Sequence, residues 1–333
     1  MGIIATDKTL IENIRNLLNN ARARVSSFVN VELLQTYFEI GGLIAEYEKQ
    51  NPKEYGKGGL LNISKALSKE FGKGFSRTNI HYMKSFYIYK QNFQSVTEKL
   101  SWTHYCELLD ISDEQARSFY EKECENSAWS VRELKRQVES SLFERLLLTS
   151  GKDKQRKLLE LSQAGQILKN PQDIIKEPYV FEFLGLPERA LIKETKLEKM
   201  LGERMKDFML ELGKGFMYVG SQQRITLGNT HNYIDLVFYN KILKAYILID
   251  LKTGKFKHEN IGQMNTYLNY YEAEINDKDD TKPIGIILCA NKNEIEVEYA
   301  ISGISSQIFT SKYTFVLPDK EKLIAELNKT IKK

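Results

Sequence analysis

The stretch from Tyr233 to Tyr271 constrains this chain more than any other. It reads strand, tight turn, strand, loop, helix. Three polar residues break its apolar runs: Asp235 in the first strand, then Asp250 and Lys252 at the end of the second. A carboxylate in a strand that otherwise wants burial is costly unless a metal ion or another partner compensates it. Alternate side chains of a strand share a face, so Asp250 and Lys252 project together. Antiparallel pairing of Tyr233–Tyr239 with Ala245–Leu251 across the Asn240 turn brings Asp235 to the same end. Two carboxylates converging at a sheet edge suit Mg²⁺ (or Mn²⁺), which takes hard oxygen ligands and keeps several waters. A lysine beside them can orient or deprotonate a water and stabilise charge on a phosphate. Gln263 and Tyr267 are four apart on the following helix, hence on one face, where they can meet a phosphate backbone or a base. A plainer reading stands beside this one: strand-end carboxylates held by lysines or backbone N–H groups, with Gln263 and Tyr267 as ordinary packing.

The elements around this stretch set its fold class. One amphipathic helix is expected over Leu191–Leu212, ended by Gly213 and Gly215. Glu198 falls on its apolar side, where a glutamate is less expected than on the solvent face, and Glu194 precedes it by one turn. Strands are expected near 216–222, 224–227, 233–239, 245–251 and 284–290, with a helix over 258–274. A short amphipathic piece near 295–304, a strand TFVLP and a closing helix from Asp319 complete a mixed α/β pattern, a central sheet covered by helices.

The first half reads as all-α. Apolar spacing predicts helices over 7–25 (Leu10, Ile11, Ile14, Leu17, Leu18 and Val25 at helical intervals) and over 31–49, closed by Asn51-Pro52. A third helix over 60–70 is followed by a glycine-bearing turn, Ser76 as N-cap and a helix to about Tyr89. That pair has the spacing of a helix-turn-helix. Its second helix is expected to present Arg77, Thr78, Asn79, His81 and Lys84 outward, as major-groove docking uses. Between Gly56 and Lys99 lie eight Lys or Arg against two Glu, a surplus greater than the whole chain's net +4. Such a block suits a polyanion, and equally a solvated lysine-rich face. Further helices follow in LSWTHYCELL, after Ser112 as cap, and as one long helix from Ser130; Trp102 and Tyr105 are expected in the core. Residues 1–150 are thus taken as a helical, DNA-binding domain, 151–178 as a linker and 179–333 as the catalytic domain.

No apolar run approaches the roughly 18 residues of a membrane span, and no basic region followed by an apolar one opens the chain. Three scattered cysteines (Cys106, Cys124, Cys289) read as reduced thiols of a cytoplasmic protein, with no zinc spacing.

Asp235, Asp250-Leu251-Lys252 and Gln263-x-x-x-Tyr267, behind a helix carrying Glu198, resemble the PD-(D/E)xK nuclease superfamily. With LEKMLGERMKDFMLELGKGF, YIDLVFYN, IGIILC and LSWTHYCELL the chain is similar over nearly its whole length to bacterial YhcG-type proteins. The resemblance implies an all-α, helix-turn-helix-like N-terminal domain. It also implies a C-terminal α/β, restriction-endonuclease-like domain with a central mixed sheet. It implies Asp235, Asp250 and Glu198 as ligands of Mg²⁺ or Mn²⁺, with Glu194 as rival to Glu198. Lys252 would be the catalytic lysine and Gln263 and Tyr267 the substrate side; Arg77 and Lys84, read from the helix-turn-helix spacing, are the expected N-terminal DNA contacts. Ile234 stands where the motif name has proline, and Asp250 takes its acidic position with the shorter side chain. The expected activity is a metal-dependent nuclease acting on DNA, with the chain able to pair as a homodimer. The alternative is a nucleic-acid-binding protein with an idle nuclease-like domain.

Overall fold

The computed structural model describes residues 5–91, 93–149, 153–291 and 307–331. The chain divides into two units, Met1–Leu134 and Lys135–Lys333. The amphipathic piece expected near 295–304 lies outside the described residues.

The first unit is helical. Helix α1 runs unbroken over Ala5–Gln50, where two helices were expected, because SSFVN contains neither glycine nor proline to stop it. After a short turn α2 (Pro52–Glu54) come α3 (Leu60–Phe71) and α4 (Arg77–Lys90). Gly72, at φ 90°, closes α3, and the Ser76 hydroxyl caps α4 by accepting from the Asn79 amide at 3.2 Å. Ile80, Met83 and Phe86 of α4 are fully buried, as are Leu34 of α1 and Tyr105 of α5 (Trp102–Leu109). Helix α4 lies so close to α1 that a Cβ on Gly41 would overlap the Met83 carbonyl. Helix α6 (Glu114–Ser127) is capped by Asp113, one residue later than the expected Ser112.

The apolar residues that mark the start of α1 as helical do not pack into a core. Leu10, Ile11, Ile14, Leu17, Leu18 and Val25 are all exposed.

Helix α7 (Val131–Glu139) straddles the division, and Ser141, at φ 54°, separates it from α8 (Leu142–Leu148); one long helix was expected there. The stretch expected as linker contains α9 (Lys154–Ala164) and joins the second unit's core through Leu168, Ile174 and Ile175. A six-stranded mixed sheet follows in the order β1-β6-β5-β4-β3-β2, with β1 Tyr179–Val180, β2 Phe216–Leu227, β3 Thr230–Asn240, β4 Ala245–Lys255, β5 Ile284–Asn291 and β6 Ile308–Thr314. Strands β2, β3 and β4 form an antiparallel meander, while β5 and β6 run parallel to β4. The last strand precedes the expected TFVLP, which only its final residue reaches.

One face packs Leu236, Phe238, Ile247 and Ile249 against α10 (Glu194–Glu203) and α11 (Met205–Leu212). The other packs Val237, Leu248 and Ile287 against α12 (His258–Tyr270). Helix α13 (Lys320–Ile331) ends the described chain. This is a helical N-terminal region followed by a mixed sheet covered by helices, as expected. Helices α10 and α11 replace the single helix 191–212, with the break at Arg204 (φ −113°, ψ 32°).

Candidate active site

The antiparallel ladder of β3 and β4 sets the site. Leu236 pairs with Ile249, so Asp235 and Asp250 occupy the next level, where the strands part. The Leu251 amide, left without a strand partner there, donates to Asp235 Oδ2 at 2.8 Å. Asp250 is 2% exposed, and its Oδ2 lies 2.9 Å from Lys252 Nζ. Beyond that ammonium, the buried Oδ2 has no hydrogen-bond partner.

Helix α10 brings both candidate glutamates to this place. Glu194, in its first turn, accepts from the Thr253 amide at 3.2 Å and lies 3.7 Å from Lys252 Nζ. Glu198, one turn on, accepts from the Gln222 side-chain amide at 2.7 Å. That same amide donates to Asp235 Oδ1 at 3.2 Å, so Gln222 bridges the helix acid and the strand acid. Gln222 has φ 49° and falls between the registered pairs Ser221–Leu236 and Gln223–Ile234, level with Asp235. A left-handed non-glycine residue in a strand costs of order 1 kcal/mol or more and needs local compensation. Its two carboxylate partners are such compensation. Sequence reading missed Gln222: only the strand register brings it to Asp235.

Tyr267 and Gln263 are together, in unequal settings. Gln263 is half-buried and donates to the Tyr267 hydroxyl at 2.5 Å. The Tyr267 hydroxyl donates in turn to the Tyr233 carbonyl at 3.1 Å, and the ring is buried. Tyr267 therefore holds Gln263 and β3; of the two, Gln263 has the exposure a substrate contact needs.

The electrostatics are those of crowded acids. Burial pushes the Asp250 carboxyl up to about 6, against Lys252, which pulls it down, and with Asp235, which adds to the rise. Burial likewise raises Asp235, partly offset by the Leu251 amide. Burial raises Glu198 too, opposed by Gln222. Burial opposes the Lys252 cation, but the Asp250 carboxylate outweighs it and holds the ammonium above its ordinary value.

Among the described residues no three His, Cys, Asp or Glu stand close enough to form a complete metal cage. The donors present fit a hydrated hard cation instead. Asp250 contributes a buried carboxylate and Asp235 faces it across the strand pair, two hard oxygen donors of the kind a divalent ion takes. Glu198 sits one amide away, within reach of the same locus through Gln222.

The N-terminal candidates separate. Arg77, Thr78 and His81 are exposed on α4. Lys84, expected outward, is instead ion-paired with Glu48 at 2.7 Å, its ammonium over the Tyr55 ring. Asn79 is also engaged inside the unit, donating to the Gly74 carbonyl and accepting from Trp102 Nε1 at 2.7 Å. Lys65, Lys69 and Lys73 are exposed on α3 and the turn that follows.

Residues 172–330 match the family described as the YhcG PDDEXK nuclease domain, and residues 13–145 the DUF1016 N-terminal domain. "Putative nuclease YhcG" of Escherichia coli (strain K12) is 33% identical over 363 residues, covering 99% of this chain and 96% of that protein. Among solved structures, a repair endonuclease from Pyrococcus abyssi is 12% identical, with a TM-score of 0.26 over 40% of this chain and 50% of that one. EndoMS in apo form is 13% identical, with a TM-score of 0.26 over 39% and 49%. The chain thus spans about half the length of those two structures, and likenesses this slight carry nothing further.

Proposed function

The chain belongs to the YhcG family of nucleases, and we propose that it hydrolyses phosphodiester bonds of DNA with a divalent ion, Mg²⁺ or Mn²⁺, held by Asp235 and Asp250. The observation that carries this reading is the buried Asp250 carboxylate, which faces Asp235 and has the Lys252 ammonium 2.9 Å from its Oδ2. When bound, such an ion supplies Lewis acidity to a phosphoryl oxygen and lowers the pKa of a water. Asp250 and Asp235 hold two of its positions, and Glu198 stands by behind Gln222. Lys252, kept charged by Asp250, releases that ion pair to the phosphate and stabilises negative charge as it develops there. Glu194 restrains the ammonium from its other side. Gln263 orients the phosphate backbone from α12, anchored by Tyr267.

The N-terminal unit engages the DNA in this proposal. Exposed Arg77 at the start of α4, with Lys69 and Lys73 beside it in sequence, supplies the cations, while Lys84 serves the fold through Glu48.

The test is direct. Labelled duplex, single-stranded and branched DNA, and RNA, are incubated with the full chain and Mg²⁺ or Mn²⁺, beside Lys252→Ala. Metal-dependent cleavage of DNA is expected, falling by about 10²–10³ in the variant. Nucleic-acid binding without cleavage of any form would replace the enzyme with a binding protein. For the N-terminal unit, Arg77→Ala is expected to weaken DNA binding and lessen its salt dependence; an unchanged affinity would remove that role.

A further inference from the structure

The first half of α1 carries apolar surface that none of the described residues covers. Leu10, Ile14, Leu17, Leu18, Val25 and Phe28 are between 47% and 69% exposed. At 100° per residue these six fall within a sector about 100° wide, so they form one stripe. The stripe repeats by sevens: Leu10 and Leu17; Ile11, Leu18 and Val25; Ile14, Ala21 and Phe28. A strict seven-residue repeat is the pattern of a helix that supercoils with another helix.

From this surface we infer that α1 is a self-association element, taking as its partner the α1 of a second copy of this chain, antiparallel, with Leu17 and Leu18 at the two-fold axis. The inference stands independently of the nuclease reading. Area is the first argument. Six such side chains offer roughly 100 Å² each, so two copies cover about 1,200 Å², the lower end of what a specific, stable interface buries. At about 600 Å² per copy, the stripe stands at the top of what a monomer ordinarily leaves in water.

Charge fixes the orientation. Arg24 lies at the edge of the stripe and is exposed. In a parallel pair it would meet its own counterpart. With the ends reversed it stands level with the turn Ile11–Ile14, and the two Arg24 are about 18 Å apart at 1.5 Å per residue, beyond the ~8 Å screening length of physiological salt. Reversal also sets Ile11 level with Val25, so apolar side chains meet toward both ends of the stripe. The back of the helix carries Glu12, Asn16 and Asn19, all exposed, while Arg15 and Arg22 line one flank of the stripe.

Sedimentation velocity of the full chain at micromolar concentration is expected to give a dimer. Leu17→Glu with Leu18→Glu puts like charges at the axis and is expected to weaken association about thirtyfold or more. Asn16→Glu with Asn19→Glu adds the same charge to the back of the helix and is expected to leave the dimer intact. Under mild oxidation, Leu18→Cys is expected to cross-link to itself, whereas Ile11→Cys should cross-link only when mixed with Val25→Cys. A monomeric wild type, a dimer that survives the double glutamate at 17 and 18, or equal dissociation by the back-face pair would each overturn the inference. So would self-cross-linking of Ile11→Cys, which means a parallel pair. A monomer that binds phosphatidylglycerol vesicles through residues 17 and 18 would assign the stripe to a lipid surface instead.

Discussion

At the scale of single residues, Asp250 sets stability against function. Its carboxyl is raised to about 6 in the fold from an ordinary 3.8, so the charged form is disfavoured by folding. The sign follows: below about pH 4 the group is protonated in both states and costs nothing. The cost grows from pH 4 to 6 and is complete above 6, at up to about 3 kcal/mol without metal. Asp250→Asn keeps the shape and removes the charge. It is expected to abolish cleavage yet to unfold at a higher temperature than wild type at pH 7.5 in EDTA, with the advantage gone at pH 4. An equal or lower melting temperature at pH 7.5 would mean that Lys252 fully compensates the buried charge. Asp235, Asp250 and Lys252 were legible because charge in an apolar strand stands out by residue type and period alone. Gln222 was not, since glutamine at a strand position is unremarkable. Its importance comes from a positive φ and a register that only the folded sheet creates.

At the scale of elements, period was easier to read than partner. The apolar series in α1 correctly implied helix, but whether that face meets the chain's own core depends on tertiary packing, which spacing does not encode. Its second half packs closely, and Gly41 is where this closeness is greatest. Alanine there gains helix propensity, about 1 kcal/mol. Its methyl would, however, fall on the Met83 carbonyl, a backbone atom that cannot turn aside. Overpacking typically costs about 1–3 kcal/mol, and here the obstacle is rigid. Gly41→Ala is thus expected to lower stability by about 2 kcal/mol. Both tryptophans, Trp102 and Trp129, belong to the first unit, so their fluorescence in a urea titration reads that unit alone. An unchanged midpoint would show that α1 and α4 can separate without loss. Lys84 taught the same lesson in reverse: helical position suggested an outward cation, while Glu48 on α1, distant in sequence, claims it.

At the scale of the whole molecule, the second unit begins at Lys135 and contains a buried ionic network. Residues 151–178 look like a linker by composition, because GKDKQRK is polar and charged. In the fold, Glu211 of α11 is fully buried and gathers cations from before this stretch and from its end. Arg145 reaches it at 2.5 Å and Arg136 at 2.8 Å, while the Lys176 ammonium binds the Glu211 and Leu212 carbonyls. Burial alone would raise Glu211; Arg145 and Arg136 overturn that and hold it at about 2. Its stabilising share is present above pH 4.5 and is lost as pH falls toward 2, amounting to about 3 kcal/mol. No local pattern announces such a network, since its members are up to 75 residues apart. A fragment of residues 179–333 leaves Glu211 buried without Arg136, Arg145 or Lys176, and a buried charge stripped of its partners costs about 3–5 kcal/mol. A fragment of residues 135–333 retains all three. Circular dichroism on heating is expected to show a cooperative transition for 135–333 and none for 179–333 at pH 7. Glu211→Gln in the longer fragment should lower its melting temperature at pH 7 and flatten the loss of stability between pH 4.5 and 2. A cooperative transition in residues 179–333 would mean that the sheet and its helices hold Glu211 without these cations, and that the polar stretch is a linker after all.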